Sequence, residues 1–247
     1  MSRLVSWEGV MSRVLSMPGV KVDRKEFLVS AFRRYDNSPV IAGISPSVAY
    51  PDTLLDSIAD DVIRYHTKRV TALSAVAGIP GGIALVGTIP ADFAQFYWHF
   101  LVLSQKLAYI YGWPDLFYGA NNELSDGARE MLTMFVGVGL GVNGANAVVK
   151  EVAEQAAKVL VKKIPQMSVT QSVCSPVIKK VAATIGVRLT HDSIGKAVSK
   201  VVPVIGALVS GGLTYATFRP MALKLKKELS MHSAASRKLL VASVACS

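Results

Sequence analysis

The sequence predicts an all-α protein, a multi-helix bundle with two Gly/Pro-interrupted apolar helical hairpins. Three observations lead there. Apolar residues recur at spacings of three and four, the helical period. Proline, glycine and asparagine clusters divide the chain into segments of helical length. Three charge-free runs, residues 70–91, 131–149 and 201–218, each carry internal glycine or proline, so none reads as an unbroken helix.

Taken in order, residues 2–16 are weakly amphipathic and stop at Met17-Pro18-Gly19. Asp23 suits the N-cap of a short basic helix reaching Arg34, because its carboxylate can accept from a free backbone amide of the first turn. Residues 36–51, with Asn37, Pro39, Gly43 and Pro46, read as a loop. A long helix follows Pro51, with Leu55, Ile58, Ala59, Val62, His66 and Leu73 on one apolar face. Pro80, Gly81 and Gly82 predict a tight reversal. Pro90 then fits the first position of a helix running to about Tyr111, with Asp92 near its positive end and Gly112 as its stop.

A second reversal through Asn121, Asn122 and Ser125 leads to a helix opening at Asp126. Its glycines 137, 139, 141 and 144 permit close helix contact. Residues 151–163 form a lysine-bearing helix closed by Pro165, and residues 168–187 another, kinked or started at Pro176. Asp192 can cap the last apolar element, residues 194–218, where Pro203, Gly206, Gly211 and Gly212 read as the second hairpin or a kinked helix. A basic helix over 221–229 comes next.

Of 247 residues, 51% are apolar and 18% charged, enough for a sizeable core, and mean hydropathy is +0.38. The net charge of +10 is one-sided: residues 1–149 hold 12 basic and 13 acidic groups, residues 150–247 hold 15 and 4. A basic half faces polyanions. Lysines beside apolar segments, among them Lys179, Lys180, Lys224, Lys226 and Lys227, favour the anionic membrane leaflet or a membrane protein over nucleic acid. Cys174 and Cys246 stand apart and suggest neither a disulfide framework nor a metal site. Glu8 and Gly9 interrupt what a secretion signal would need, so a cytoplasmic, membrane-associated location is expected.

The three apolar runs approach the roughly 20 residues that span a bilayer. Two readings stand. They are either buried helices of a bundle or hairpins that dip into the membrane, where broken helical hydrogen bonds need partners from other helices or water.

On the helix after Pro90, Asp92, Gln95, His99 and Lys106 fall in a narrow arc while aromatic and aliphatic residues cover the rest. The functional reading pairs Asp92 with the His99 imidazole and leaves Gln95 or Lys106 to touch a ligand or anionic headgroup. The alternative is a solvated face, or a satisfied buried network that sets helix register. A metal would need further ligands from His66 or from Asp60 and Asp61, and no metal or cofactor is expected. The aromatic cluster from Phe93 to Tyr118 reads as core packing or as an interfacial belt, and Tyr111 and Trp113, beside a helix end and a proline turn, suit the belt better than Phe96 or Phe100 do. No phosphate-binding loop and no nucleophile elbow occurs, and the aromatic cluster lacks the interleaved cations that stacking on nucleic acid would need.

The segments Ala77-Gly-Ile-Pro-Gly-Gly, Ile89-Pro-Ala-Asp-Phe-Ala-Gln-Phe-Tyr-Trp-His, Gln105-Lys-Leu-Ala-Tyr-Ile-Tyr-Gly and Val202-Pro-Val-Ile-Gly-Ala-Leu-Val-Ser-Gly-Gly-Leu-Thr-Tyr together resemble the EcsC-like family of bacterial proteins. The resemblance covers about Leu54 to Leu229. It divides the chain into N-terminal helices and loop (1–50), an EcsC-like helical domain (51–230) and a C-terminal tail (231–247). Its motif positions here are Pro80, Gly81, Gly82, Pro90, Asp92, Gly112, Pro203, Gly206, Gly211 and Gly212, mostly structural residues. It implies a helical protein without established enzymatic activity, whose founding member belongs to the neighbourhood of an ABC-type exporter. The function expected is support of a transport or envelope process through lipid or membrane-partner binding. The alternatives are a pore-forming or membrane-inserting effector, and an enzyme using the Asp92, Gln95 and His99 stripe.

Overall fold

The computed structural model describes residues 6–77, 91–116, 126–158, 175–186 and 203–245. Among them are ten helices and no strand, the all-α bundle that the spacing predicts. The first predicted hairpin, at Pro80, Gly81 and Gly82, lies outside the described residues, as do Pro90, the reversal at 121–125 and the Asp192 cap.

Helix α1 (Trp7–Leu15) starts where the Ser6 hydroxyl accepts from the Gly9 amide at 3.1 Å, and Trp7, Val10, Met11 and Val14 bury its inner face. The Trp7 indole donates to Thr133 at 3.1 Å, so α1 is fastened into the interior. Helix α2 (Arg24–Phe32) has the expected cap, with the Asp23 carboxylate accepting from the Glu26 amide at 2.7 Å. The expected loop after it holds two one-turn helices, α3 (Ser38–Ile41) and α4 (Pro46–Ala49), each with proline in its first turn. Residues 6–50 share the core of the described structure. Trp7, Leu28 and Phe32 belong to the same apolar cluster as Leu55, Phe100, Phe135 and Leu225.

The centre of the bundle is α5 (Asp52–Ala77), α6 (Ala91–Ile110) and α10 (Pro203–Ala245). Leu55, Ile58, Ala59, His66 and Val70 line the buried face of α5, but Leu73 is exposed, and Ile63 takes an inner position that the spacing argument omits. Helix α6 is buried nearly all round. It ends at Gly112 in a left-handed turn: φ is +88°, Gly112 N–H donates to Tyr109 and Trp113 N–H to the Ala108 carbonyl. A Cβ at Gly112 would collide with the Ser47 hydroxyl, so glycine is required both by conformation and by the approach of α4.

Helices α7 (Asp126–Leu140), buried over 131–139, and α8 (Ala145–Lys158), which buries one face only, divide the run at 131–149 and are joined by residues 141–144. A Cβ on Gly139 would sit 2.6 Å from the Phe100 ring, and one on Gly137 2.7 Å from Val181 of helix α9 (residues 175–186). Small residues here let α6 and α9 close on α7, as the glycine pattern suggests.

Helix α10 corrects a second expectation. Residues 203–245 form one helix of 43 residues, with no reversal at Gly206, Gly211 or Gly212 and with the supposed tail as its continuation. Pro203 is its first residue, where no amide donor is needed. Gly211 lies against α5, its absent Cβ 3.2 Å from that of Ala75. The glycine serves close helix contact, and the chain does not turn there. Among the described residues no helix is long and apolar enough to cross a membrane.

Candidate functional site

Where α5 and α6 pass under α2, they leave an open recess of about 380 Å³. Its floor is polar although both parent helices are largely apolar there. His66 of α5 and His99 of α6 are buried, at 2% and 4% exposure, and their Nδ1 atoms are 3.1 Å apart. Lys106, two turns beyond His99 on α6, brings Nζ to 3.3 Å from His66 Nε2. Arg69, one turn beyond His66, stands at the edge with its guanidinium 4.9 Å over the Tyr65 ring.

One hydrogen-bonding pattern satisfies this chain. An ammonium has no lone pair, so Lys106 donates and His66 Nε2 accepts. The His66 proton is then on Nδ1 and is donated to His99 Nδ1, which places the His99 proton on Nε2. No described residue accepts from that Nε2–H. Burial, reinforced by the charges of Lys106, His99 and Arg69, pushes His66 down to about 2, while burial and the charges of Arg69 and Lys106 push His99 down to about 4. Burial also lowers Lys106. Near neutral pH the cluster therefore holds two neutral imidazoles beside two cations.

The neighbouring charges do not cancel those cations. Among the described residues no carboxylate is within ion-pair distance of Lys106 or Arg69. Asp23 and Glu26 stand exposed on the opposite rim, from α2. Lys106 is instead flanked by the Phe27 and Tyr65 rings, with Nζ 5.6 and 5.8 Å from their centroids. Gln105 holds the wall in place: its amide donates to the Val20 and Leu101 carbonyls at 2.8 and 2.9 Å and accepts from the Val22 amide at 3.0 Å.

The chemistry follows from which lone pairs remain. The His66 Nε2 and His99 Nδ1 lone pairs are both engaged, so neither ring offers a ready base. The recess is lined by the donors Lys106 and Arg69 together with Lys21, by His99, whose Nε2–H no described residue accepts, and on the opposite rim by Asp23 and Glu26. The donor set suits an anion, and phosphate or carboxylate oxygens could accept from several donors at once. Among the described residues no group of three His, Cys, Asp or Glu is placed to hold a metal.

The predicted stripe is thus divided. His99 and Lys106 come together, and His99 takes His66 as partner. Asp92 is in the first turn of α6, its side chain outside the described atoms. Gln95 does not line the recess, and its buried Nε2 has no partner among the described residues.

The expected aromatic belt is overturned: Tyr111 and Trp113 are 2% and 6% exposed. Tyr111 donates to Asp56 at 2.5 Å, and Trp113 packs edge-on against Phe135 while its carbonyl accepts from Arg24. The basic surface needs one correction as well. Lys179, Lys180, Lys224 and Lys227 are exposed, but Lys226 is half-buried, 2.7 Å from Asp60 and 3.8 Å from Asp56. Arg69 and Tyr65 were absent from the sequence-based candidates; Arg69 follows His66 by three positions, the helical signal that would have added it.

No family model, no curated protein and no solved structure matches the chain.

Proposed function

We propose that this chain is a non-catalytic, membrane-associated helical protein that holds an anionic group, such as a lipid phosphate, in the recess between α2, α5 and α6. The observation that carries the reading is the donor set itself: Lys106 and Arg69 lack a carboxylate partner among the described residues, and His99 in the same lining carries an N–H that no described residue accepts. Lysines 179, 180, 224 and 227, exposed on the basic half of the chain, support attraction to an anionic leaflet. The EcsC-like motifs point the same way, towards support of a transport or envelope process at a membrane.

Titration with inorganic phosphate, and sedimentation with phosphatidylglycerol vesicles, test this. The Arg69→Gln/Lys106→Met double variant should lose affinity for both by about tenfold or more, since two charge-assisted contacts disappear. A wild-type protein that binds neither, or a double variant that binds both as the wild type does, would overturn the reading.

A further inference from the structure

At the end of α2 the surface changes character. Ile41, Ala42, Gly43 and Ile44 are four consecutive exposed residues without a polar side chain; Ile41 is 53% and Ile44 46% exposed. Val48 and Tyr35, close by in the chain, are exposed as well, at 46% and 45%. Residues 37–51 contain no charge at all. A run of exposed apolar residues this long is an error in a soluble surface unless it has a function.

The tip is also held firmly. At the end of α3, Gly43 N–H donates to Val40 and Ile44 N–H to Pro39, closing a left-handed helix end with φ of +84° at Gly43. Its base is fixed by the Tyr50 hydroxyl, which donates to the Asp36 carbonyl at 2.6 Å while the Tyr50 ring stacks on Phe32 at 4.4 Å. The isoleucines are therefore presented to solvent by a built turn, and they stay there at a cost that folding does not recover.

We propose that this tip is the membrane-contacting surface of the protein, with Ile41, Ile44 and Val48 entering the headgroup boundary of an anionic bilayer. Two features select lipid as the occupant. Arg33 and Arg34, exposed and without an ion-pair partner among the described residues, precede the tip in the chain just after α2 and complement anionic headgroups; Asp36, whose carboxylate accepts from the Ser38 amide, offsets one of them. The patch is also a handful of residues, far short of the roughly 20 a side that a stable protein interface uses, while a bilayer accepts a small apolar wedge beside a tyrosine at headgroup level. The inference rests on the membrane reading above and adds the surface by which the chain would dock.

Sedimentation with vesicles of equal parts phosphatidylglycerol and phosphatidylcholine tests it, alongside phosphate titration of the same proteins. The Ile41→Asp/Ile44→Asp variant should lose vesicle affinity by about tenfold or more, because two buried apolar side chains are replaced by charges, and should keep its affinity for phosphate. A Tyr35→Trp variant should show fluorescence quenching by brominated acyl chains, which reports insertion independently of the aspartates. Vesicle binding unchanged in the double aspartate variant, with no quenching in the Tyr35→Trp variant, overturns the docking surface and leaves the anion site standing. A wild type that ignores the vesicles altogether removes the membrane reading and the inference together.

Discussion

Helices α5 and α6 carry two polar nodes, and the contrast between them indicates what the recess is for. Near the start of α5, Asp56 accepts from Tyr111, just past the end of α6, and Asp56 and Asp60 flank Lys226 of α10, so each charge has an opposite or a donor. About three turns further along α5, His66 and Arg69 meet His99 and Lys106, and no acid closes the set among the described residues. The same helices pair their charges at one node and leave cations open at the other. Paired groups fix register; open donors in a recess are available to a ligand.

Acid should separate the nodes most strongly. His66 is held at about 2 and His99 at about 4, against an ordinary 6.5. Both folded-state values are depressed, so below pH 6.5 the unfolded chain binds protons that the folded chain refuses. Stability is then greatest above pH 6.5 and falls as pH drops towards the folded values, by about 1 kcal/mol per pH unit for each imidazole and roughly 3 kcal/mol in total between pH 6.5 and 5. Urea unfolding across that range measures the slope. A His66→Gln/His99→Asn variant should flatten it, and an unchanged slope would show that the pair is not buried neutral.

Some of this was legible in the residues. The inner face of α5 followed from spacing, the Asp23 cap from its position before a short basic segment, and the stop at Gly112 from glycine after a helical run. Gly211 and Gly212 misled because the sequence shows that a side chain is missing but not why: glycine suits a turn and a close helix contact equally, and α10 uses Gly211 for contact with Ala75. Tyr111 and Trp113 misled because a ring with a polar tip fits a membrane interface and a satisfied interior alike. The recess was half-visible. His66 stood out on an apolar face and His99 on the stripe, but their meeting depends on the register of α5 against α6, which periodicity within one helix does not contain.

The paired node predicts a smaller effect of opposite origin. Replacing Tyr111 by Phe removes the donor to Asp56 while keeping the ring that packs in the core. The Asp56 side chain is 47% exposed and still lies 3.8 Å from Lys226, so water and that ammonium compensate in part. The expected loss is about 1 to 2 kcal/mol in chemical unfolding, the range for a hydrogen bond to a charged acceptor that stays partly hydrated. Phosphate affinity should not change, since the recess is elsewhere on the two helices. A coupled loss would mean that the nodes act as one unit.

Lys106→Met should have the smallest effect on stability. Methionine keeps an unbranched stem between Phe27 and Tyr65 and removes an ammonium whose charge burial disfavours and no described carboxylate offsets. The loss of the donor to His66 Nε2 works against that gain. The net change should lie within about 0.5 kcal/mol of zero, in contrast to the Tyr111 variant, because an uncompensated charge and one hydrogen bond are removed together. The same substitution takes away one of the charges that depress His66, so its pKa should rise and the acid slope soften. Near-unchanged stability, a softer slope and weakened phosphate binding would together mark Lys106 as a group held for a ligand. A large loss of stability would instead place it with Lys226, among the residues that hold the bundle in register.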